Sequence, residues 1–503
     1  MTAALHMLSQ RIGRTLPDLE KLMQAASSYQ EWLALAEEHD VRSGARLWRE
    51  TLETPLYDYR EVRNRLDKLL SFLDSGASCE LLYALNEGVH GNMGGMGKPV
   101  LYHQAKAGTK LLIEHYVSTI ARSLRTLHQT PDSEISLEEK IDFFRRASHC
   151  YGRSALLLSG GAGLVYFHHG MVHELIQHDL LPHVISGSSA GAIVAAQLGT
   201  LTDAELKAGY FLQKRYHEPN RTRMLDLLRG RLSESQAKWA REHFLDEIIP
   251  RDITFQEAFE RTGRYINISI SPAERHQSSR LMNAITSPNV YVRSALSASI
   301  AIPGLMAPER LFARGFDGKP RPYLETRRWV DGSLSNDLPA KRMARLYGVN
   351  HFIVSMINPL VLPFIQDITA RDHRGLFQVS SEASVAILSE ILVVLERLLA
   401  HRGGGRGKAL AAQVAYLTAM LSQNYLGDIN VILPGDAFRW RNTLFDYQEQ
   451  DIARMIQSGR RTTWPKMSMI RNAALISQTL DEILDALNLR GMHLHRGQSH
   501  MTM

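Results

Sequence analysis

The sequence predicts an α/β sandwich set between two helical regions, and three observations predict it. From Ser154 onward short apolar runs recur, in SALLLSGG, at Val184 and Ile185, at Tyr265 to Ile270, at Trp329 to Val330 and at His351 to Met356. Helical patterns lie between them, the alternation of a layered sheet. Before residue 150 the periodicity is almost wholly helical, and after about residue 360 it turns helical again. The third observation is a glycine-framed serine between an apolar run and a small-residue helix. The expected domains are residues 1–150, 151–360 and 361–503.

In the first region, helical periodicity runs from Tyr29 to His39, Tyr59 to Leu73 and Leu111 to Leu127. The glycine-rich stretch from Gly88 to Pro99 has no Gly-Lys-Ser/Thr ending, so it reads as a structural turn and not as a phosphate cradle. Further on, Lys214 to Arg241 carries eight basic residues interleaved with Leu225, Leu227, Leu228 and Trp239. A solvated helical face explains it more simply than an anionic surface does. Ala383 to Arg402 places Leu388, Leu392, Leu395 and Leu399 on one side of a helix. Core packing and contact with a bilayer surface fit it equally.

Composition sets limits. The 503 residues require two or three domains, and the net charge of +6 is too dilute to argue for nucleic acid. Two cysteines, Cys79 and Cys150, have no metal-ligand spacing and fit a reducing compartment. The amino terminus lacks the apolar run of a signal peptide, and no apolar stretch reaches the ~18 residues that span a bilayer. An intracellular protein, cytoplasmic or peripherally membrane-associated, is expected.

The chemistry starts at HVISGSSAGAIVAAQLG, His183 to Gly199, where Ser189 sits in Gly-x-Ser-x-Gly. Strand, sharp turn and helix in that order force a serine into a strained position with its hydroxyl exposed. Gly187 and Gly191 must be small, because side chains there would meet the crossing strand and helix. Upstream, Gly160, Gly161, Ala162 and Gly163 follow a strand and precede a helix, where successive amides can bind an oxyanion. Downstream, Asp331 ends a short apolar strand before Gly332, which is also a common turn arrangement.

These residues, in this order, resemble the patatin-like phospholipases and lipases, which work with a Ser-Asp dyad. The resemblance extends to the subgroup of yeast and plant lipid-droplet triacylglycerol lipases, through TPLYDY (Thr54 to Tyr59), MGGMGKPVLY, GTKLLIEHY (Gly108 to Tyr116), Ala284 to Met306, Gly348 to Pro359, Asn424 to Pro434 and Thr463 to Asn472. It implies a patatin-like three-layer α/β/α sandwich with a helical amino-terminal domain and a helical carboxy-terminal extension packed on the catalytic domain or a membrane surface. It also implies Ser189 as nucleophile, Asp331 as base and Gly160 to Gly163 as the oxyanion loop, with no metal or other cofactor. The implied partners are a glycerolipid, most favourably triacylglycerol, and a membrane or lipid-droplet surface. Val165 departs from the pattern, since relatives commonly carry a glycine there. No His-x-x-x-x-Asp spacing, which some yeast members associate with acyl transfer, occurs here.

Three alternatives use the same residues differently. An ordinary α/β hydrolase would need a histidine after the aspartate, and His351 is the candidate, although its place in HFIVS suggests a structural role. A phospholipase, lysophospholipase or lysophospholipid acyltransferase would use the same serine. A decayed lipid-surface scaffold is opposed by the presence of the serine, the aspartate and the glycine loop together.

Overall fold

The computed structural model describes residues 14–89, 91–213, 242–250, 252–274, 278–303, 306–333, 337–359, 361–362, 414, 426–435 and 448–501. It divides into two compact units. The first comprises Met1–Ser154, Tyr347–His351 and Thr463–Met503, and the second Ala155–Leu346 and Phe352–Thr462. Lys214 to Arg241 and Ala383 to Arg402 lie outside the described residues.

The first unit is helical because its sequence repeats apolar residues at helical spacing. In Tyr59–Ser75 the stripe is Val62, Leu66 and Leu69; Asp58 caps the helix by accepting from the Arg60 and Glu61 amides, and Gly76 ends it at φ 69°. Leu111–Gln129 buries Ile113, Val117, Ile120, Leu124 and Leu127. The same core takes in Ile476, Leu480, Ile483 and Leu487 of the long helix Met467–Met501. For this last helix of the carboxy-terminal region the covering partner is the amino-terminal core. It carries a stripe spaced like that of Leu111–Gln129 and shares one core with the amino-terminal helices. The glycine-rich stretch is a turn, with Met93 and Met96 buried in this core and the Gly94 carbonyl accepting from the Asp58 amide at 2.7 Å.

The second unit is built on a seven-stranded sheet. Its strands are β1 (Arg153–Leu158), β2 (Val184–Gly187), β3 (Tyr265–Pro272), β4 (Arg280–Met282), β7 (Trp329–Asp331), β8 (Val349–Met356) and β9 (Ile429–Ile432). Their order is β4-β3-β2-β1-β8-β9, with β7 also on β3. β5 (Leu311–Arg314) and β6 (Pro320–Tyr323) form a separate hairpin. β1, β2 and β3 run parallel, as do β8 and β9. Parallel strands are covered on both faces, which is why β1 and β2 read as continuous apolar runs. The α/β sandwich is therefore as expected, except that β9 comes from the region read as mainly helical. Its INVI core is too short to stand out without its partner, and β4, β5 and β6 escaped notice for the same reason. Among the described residues no helix is long and apolar enough to cross a membrane.

Candidate active site

Between the end of β2 at Gly187 and the helix Ala190–Thr200 the chain has only Ser188 and Ser189 to make its turn. Ser189 is driven to φ 49° and ψ −117°, a conformation costing a side-chain-bearing residue about 1–3 kcal/mol. Its surroundings hold it there. A methyl at Gly187 would strike the Gly191 carbonyl, and one at Gly191 the Leu158 carbonyl of β1. The Ser189 amide donates to Ser299 Oγ at 3.0 Å, and that hydroxyl donates to the Ser269 carbonyl of β3 at 2.8 Å.

Strand register brings Asp331 to this serine. Ile270 of β3 pairs with Arg280 of β4 and also with Asp331 of β7, so those strands occupy opposite edges of β3. β2 leaves its edge at the pair Gly187–Ile268. β7 takes over that edge from the other direction, running towards the elbow and ending on Asp331. Gly332 continues past β3 where a methyl would collide with the Ser269 carbonyl. The Asp331 amide donates to the Ala301 carbonyl at 3.0 Å, and its Oδ1 accepts from the Ser333 amide at 2.9 Å. The Ser189 hydroxyl interacts with the same carboxylate and lowers its pKa. Ser189 is 7% exposed and Asp331 1%. Burial pushes the Asp331 carboxyl up to about 6, against the lowering effect of Ser333 and Ser189. A buried carboxylate beside a serine hydroxyl can take that hydroxyl's proton.

The glycine loop leaves β1 beside them. Gly160 is packed against Ser189, Ser333 and Asp337, and at Gly161 a methyl would collide with Ile357. Ala162 has φ 49°, a second strained position in a residue with a side chain. His168 braces the loop from behind. Because a carbonyl only accepts, its Nε2 carries the proton and donates to the Ser159 carbonyl at 2.9 Å, leaving Nδ1 to accept from Ser355 Oγ at 2.7 Å. Burial pushes its pKa down to about 3, so the ring is neutral.

One part of the expected oxyanion loop needs correction. The Gly160 amide donates to Asp337 Oδ1 at 2.8 Å, so it is committed within the protein. Sequence reasoning passed over Asp337, a fully buried carboxylate that also accepts from the Ser188 hydroxyl and, through Oδ2, from Asn358 Nδ2 at 3.4 Å. Its only signal was its place in SNDLP after Asp331-Gly332, where it looks like any loop aspartate. His351 is hydrogen-bonded to Ser154 Oγ at 3.3 Å, near the start of β1 and away from the strand end that carries the glycine loop.

A serine elbow and a buried strand-end aspartate on a mostly parallel sheet define a class of α/β protein, and comparison narrows it. Residues 156–344 match the patatin-like phospholipase family, and residues 9–149 match a domain of unknown function, DUF3336. A patatin-like phospholipase domain-containing protein of Aspergillus terreus is 30% identical over 94% of this chain and 69% of its own. The chain belongs to the patatin-like phospholipases. Triacylglycerol lipase SDP1L of Arabidopsis thaliana is 31% identical over 93% of this chain and 58% of its own length, and triacylglycerol lipase 4 of Saccharomyces cerevisiae is 31% identical over 93% and 53%. The chain thus spans a little over half the length of these two relatives.

Proposed function

We propose that this chain is a serine lipid acyl hydrolase that releases fatty acids from glycerolipid esters, triacylglycerol foremost. The observation that carries the reading is the strained Ser189 beside the buried carboxylate of Asp331, whose pKa the serine hydroxyl helps to set. The similarity to two triacylglycerol lipases favours neutral lipid within that class. In the proposed reaction Asp331 takes the Ser189 proton as Oγ attacks the ester carbonyl. The amides of Gly161, Ala162 and Gly163 hold the oxyanion, and the tetrahedral intermediate collapses as the Asp331 carboxyl protonates the departing alcohol. Water then attacks the acyl-enzyme, gives its proton to Asp331, and the fatty acid leaves as Ser189 regains a proton. Hydrolysis of triacylglycerol, diacylglycerol, phospholipid and lysophospholipid by wild type and Ser189→Ala tests this. Hydrolysis surviving in Ser189→Ala overturns the mechanism, and phospholipid cleavage without triacylglycerol cleavage overturns the substrate.

The substrate class requires work at a lipid surface, and the β5–β6 hairpin supports that part of the reading. Its turn carries Phe316 fully exposed, Phe312 and Leu324 are exposed nearby, Lys319 flanks them, and Arg321 is paired with Asp317 of the same turn at 3.1 Å. An aromatic tip with a basic neighbour suits an interface between acyl chains and headgroups. β6 leads through residues 324–328 into β7, which ends on Asp331.

A further inference from the structure

The hydrolytic reading assigns no role to Asp337, although it is the second buried carboxylate of the site. Its oxygens gather three segments. Oδ1 accepts the Gly160 amide, the first of the glycine loop, and the hydroxyl of Ser188, the residue before the candidate nucleophile; Oδ2 accepts Asn358 from the turn after β8. Gly160 is wedged among Ser189, Ser333 and Asp337 with no room for a methyl to be added freely. Tying the first amide of the loop to a fixed acceptor narrows where the following amides can go, and the tight packing of Gly161 on Ile357 and the left-handed φ of Ala162 narrow it further.

We propose that Asp337 is a positioning residue, a carboxylate clamp that holds the glycine loop against the serine elbow so that the amides after Gly160 face the reacting carbonyl. The proposal rests on the Ser189–Asp331 hydrolase reading and deepens it. Asp337 does not touch substrate. It acts through Gly160 and Ser188.

Burial and Asp331 both raise the proton affinity of Asp337, and Gly160, Ser188 and Asn358 are neutral hydrogen-bond partners. What separates the role from mere packing is the acceptance of those bonds, which asparagine retains for Gly160 and Ser188 and alanine does not.

The test uses the full chain and a soluble p-nitrophenyl ester, with the rate of fluorophosphonate labelling of Ser189 as a second readout. Asp337→Ala should lower kcat about 100-fold with KM nearly unchanged and slow labelling in parallel, because the loop loses its anchor. Asp337→Asn keeps an acceptor oxygen of the same shape for Gly160 and Ser188. It should recover kcat to within about tenfold of wild type with KM nearly unchanged. Where Asp337→Ala does not fold, the Asn variant alone decides. An Asp337→Asn protein whose kcat and labelling rate fall about 100-fold or more overturns the clamp, as does a folded Asp337→Ala protein with wild-type kcat. A wild type that neither hydrolyses the ester nor labels at Ser189 overturns instead the hydrolase reading on which the clamp depends, so the two failures are distinct.

Discussion

Replacing Asp331 with asparagine should remove activity and at the same time stabilise the fold at neutral pH. The carboxyl is held at about 6 in the folded chain against an ordinary value of 3.8. Folding thus favours its protonated form: the contribution is fully present below the unfolded value of 3.8 and is lost as pH rises through about 6. At pH 7.5 the folded wild type holds a buried charge it would prefer to lose. The shift of about two units at 1.36 kcal/mol each makes that cost ~3 kcal/mol. Asparagine keeps the shape, still accepts the Ser333 amide and still reaches Ser189, but carries no charge. The Asp331→Asn protein should therefore melt a few degrees above wild type at pH 7.5, with the gap shrinking towards zero near pH 4. Differential scanning calorimetry of both proteins from pH 4 to 8 measures this, because titrations elsewhere cancel in the difference. A variant less stable than wild type at pH 7.5, or a gap independent of pH, refutes the argument. The same carboxyl predicts that wild-type esterase activity falls as pH drops through about 6, where the base becomes protonated.

Gly191→Ala should fail to fold or lose at least ~3 kcal/mol, since its methyl would sit against the Leu158 backbone; urea melts monitored by circular dichroism check it. His351→Ala should cost only about 0.5–1.5 kcal/mol, the worth of its bond to Ser154, and keep wild-type kcat on p-nitrophenyl butyrate. A folded, inactive His351→Ala protein beside an active Asp331→Ala one would refute the dyad. Phe316→Ala should weaken binding to vesicles of phosphatidylcholine and phosphatidylserine about tenfold, from the loss of one inserted aromatic ring, without altering hydrolysis of a soluble ester; flotation assays measure the first and spectrophotometry the second.

The parts of this site legible in the sequence are those whose chemistry forces an unusual local pattern. Ser189 could be picked out because its strained elbow excludes side chains at Gly187 and Gly191, and that leaves Gly-x-Ser-x-Gly in plain view. β1, β3 and β8 were visible as apolar runs because a covered sheet tolerates little else. Asp331 was half legible. Its strand and Gly332 were apparent, but only the register of β7 on β3 reveals that it closes the edge abandoned by β2. Asp337 was invisible because its role lies in partners 177 and 149 positions away in the chain. The partner of the long carboxy-terminal helix was hidden for a related reason, since periodicity gives the apolar face of a helix and not the surface that covers it.

The absence of histidine from the proposed chemistry also follows from the arrangement. A general base at neutral pH needs a pKa near the working pH, which imidazole has in water and a carboxyl does not. Here burial reverses the ranking. It moves His168 down to about 3 and His169 to about 4, where neither ring is drawn to a proton, and it moves Asp331 up to about 6. The desolvation that disables the histidines enables the carboxylate, so a dry site close under the sheet edge suits a serine–aspartate pair better than a triad. The corollary concerns water. A substitution that hydrates Asp331 without removing a hydrogen bond to it, such as Ile270→Ala at its partner position on β3, should lower its pKa, shift the acid limb of the rate profile to lower pH and reduce kcat above it. A pH–rate profile of that variant whose limb moves upward would place the source of Asp331's basicity somewhere other than burial.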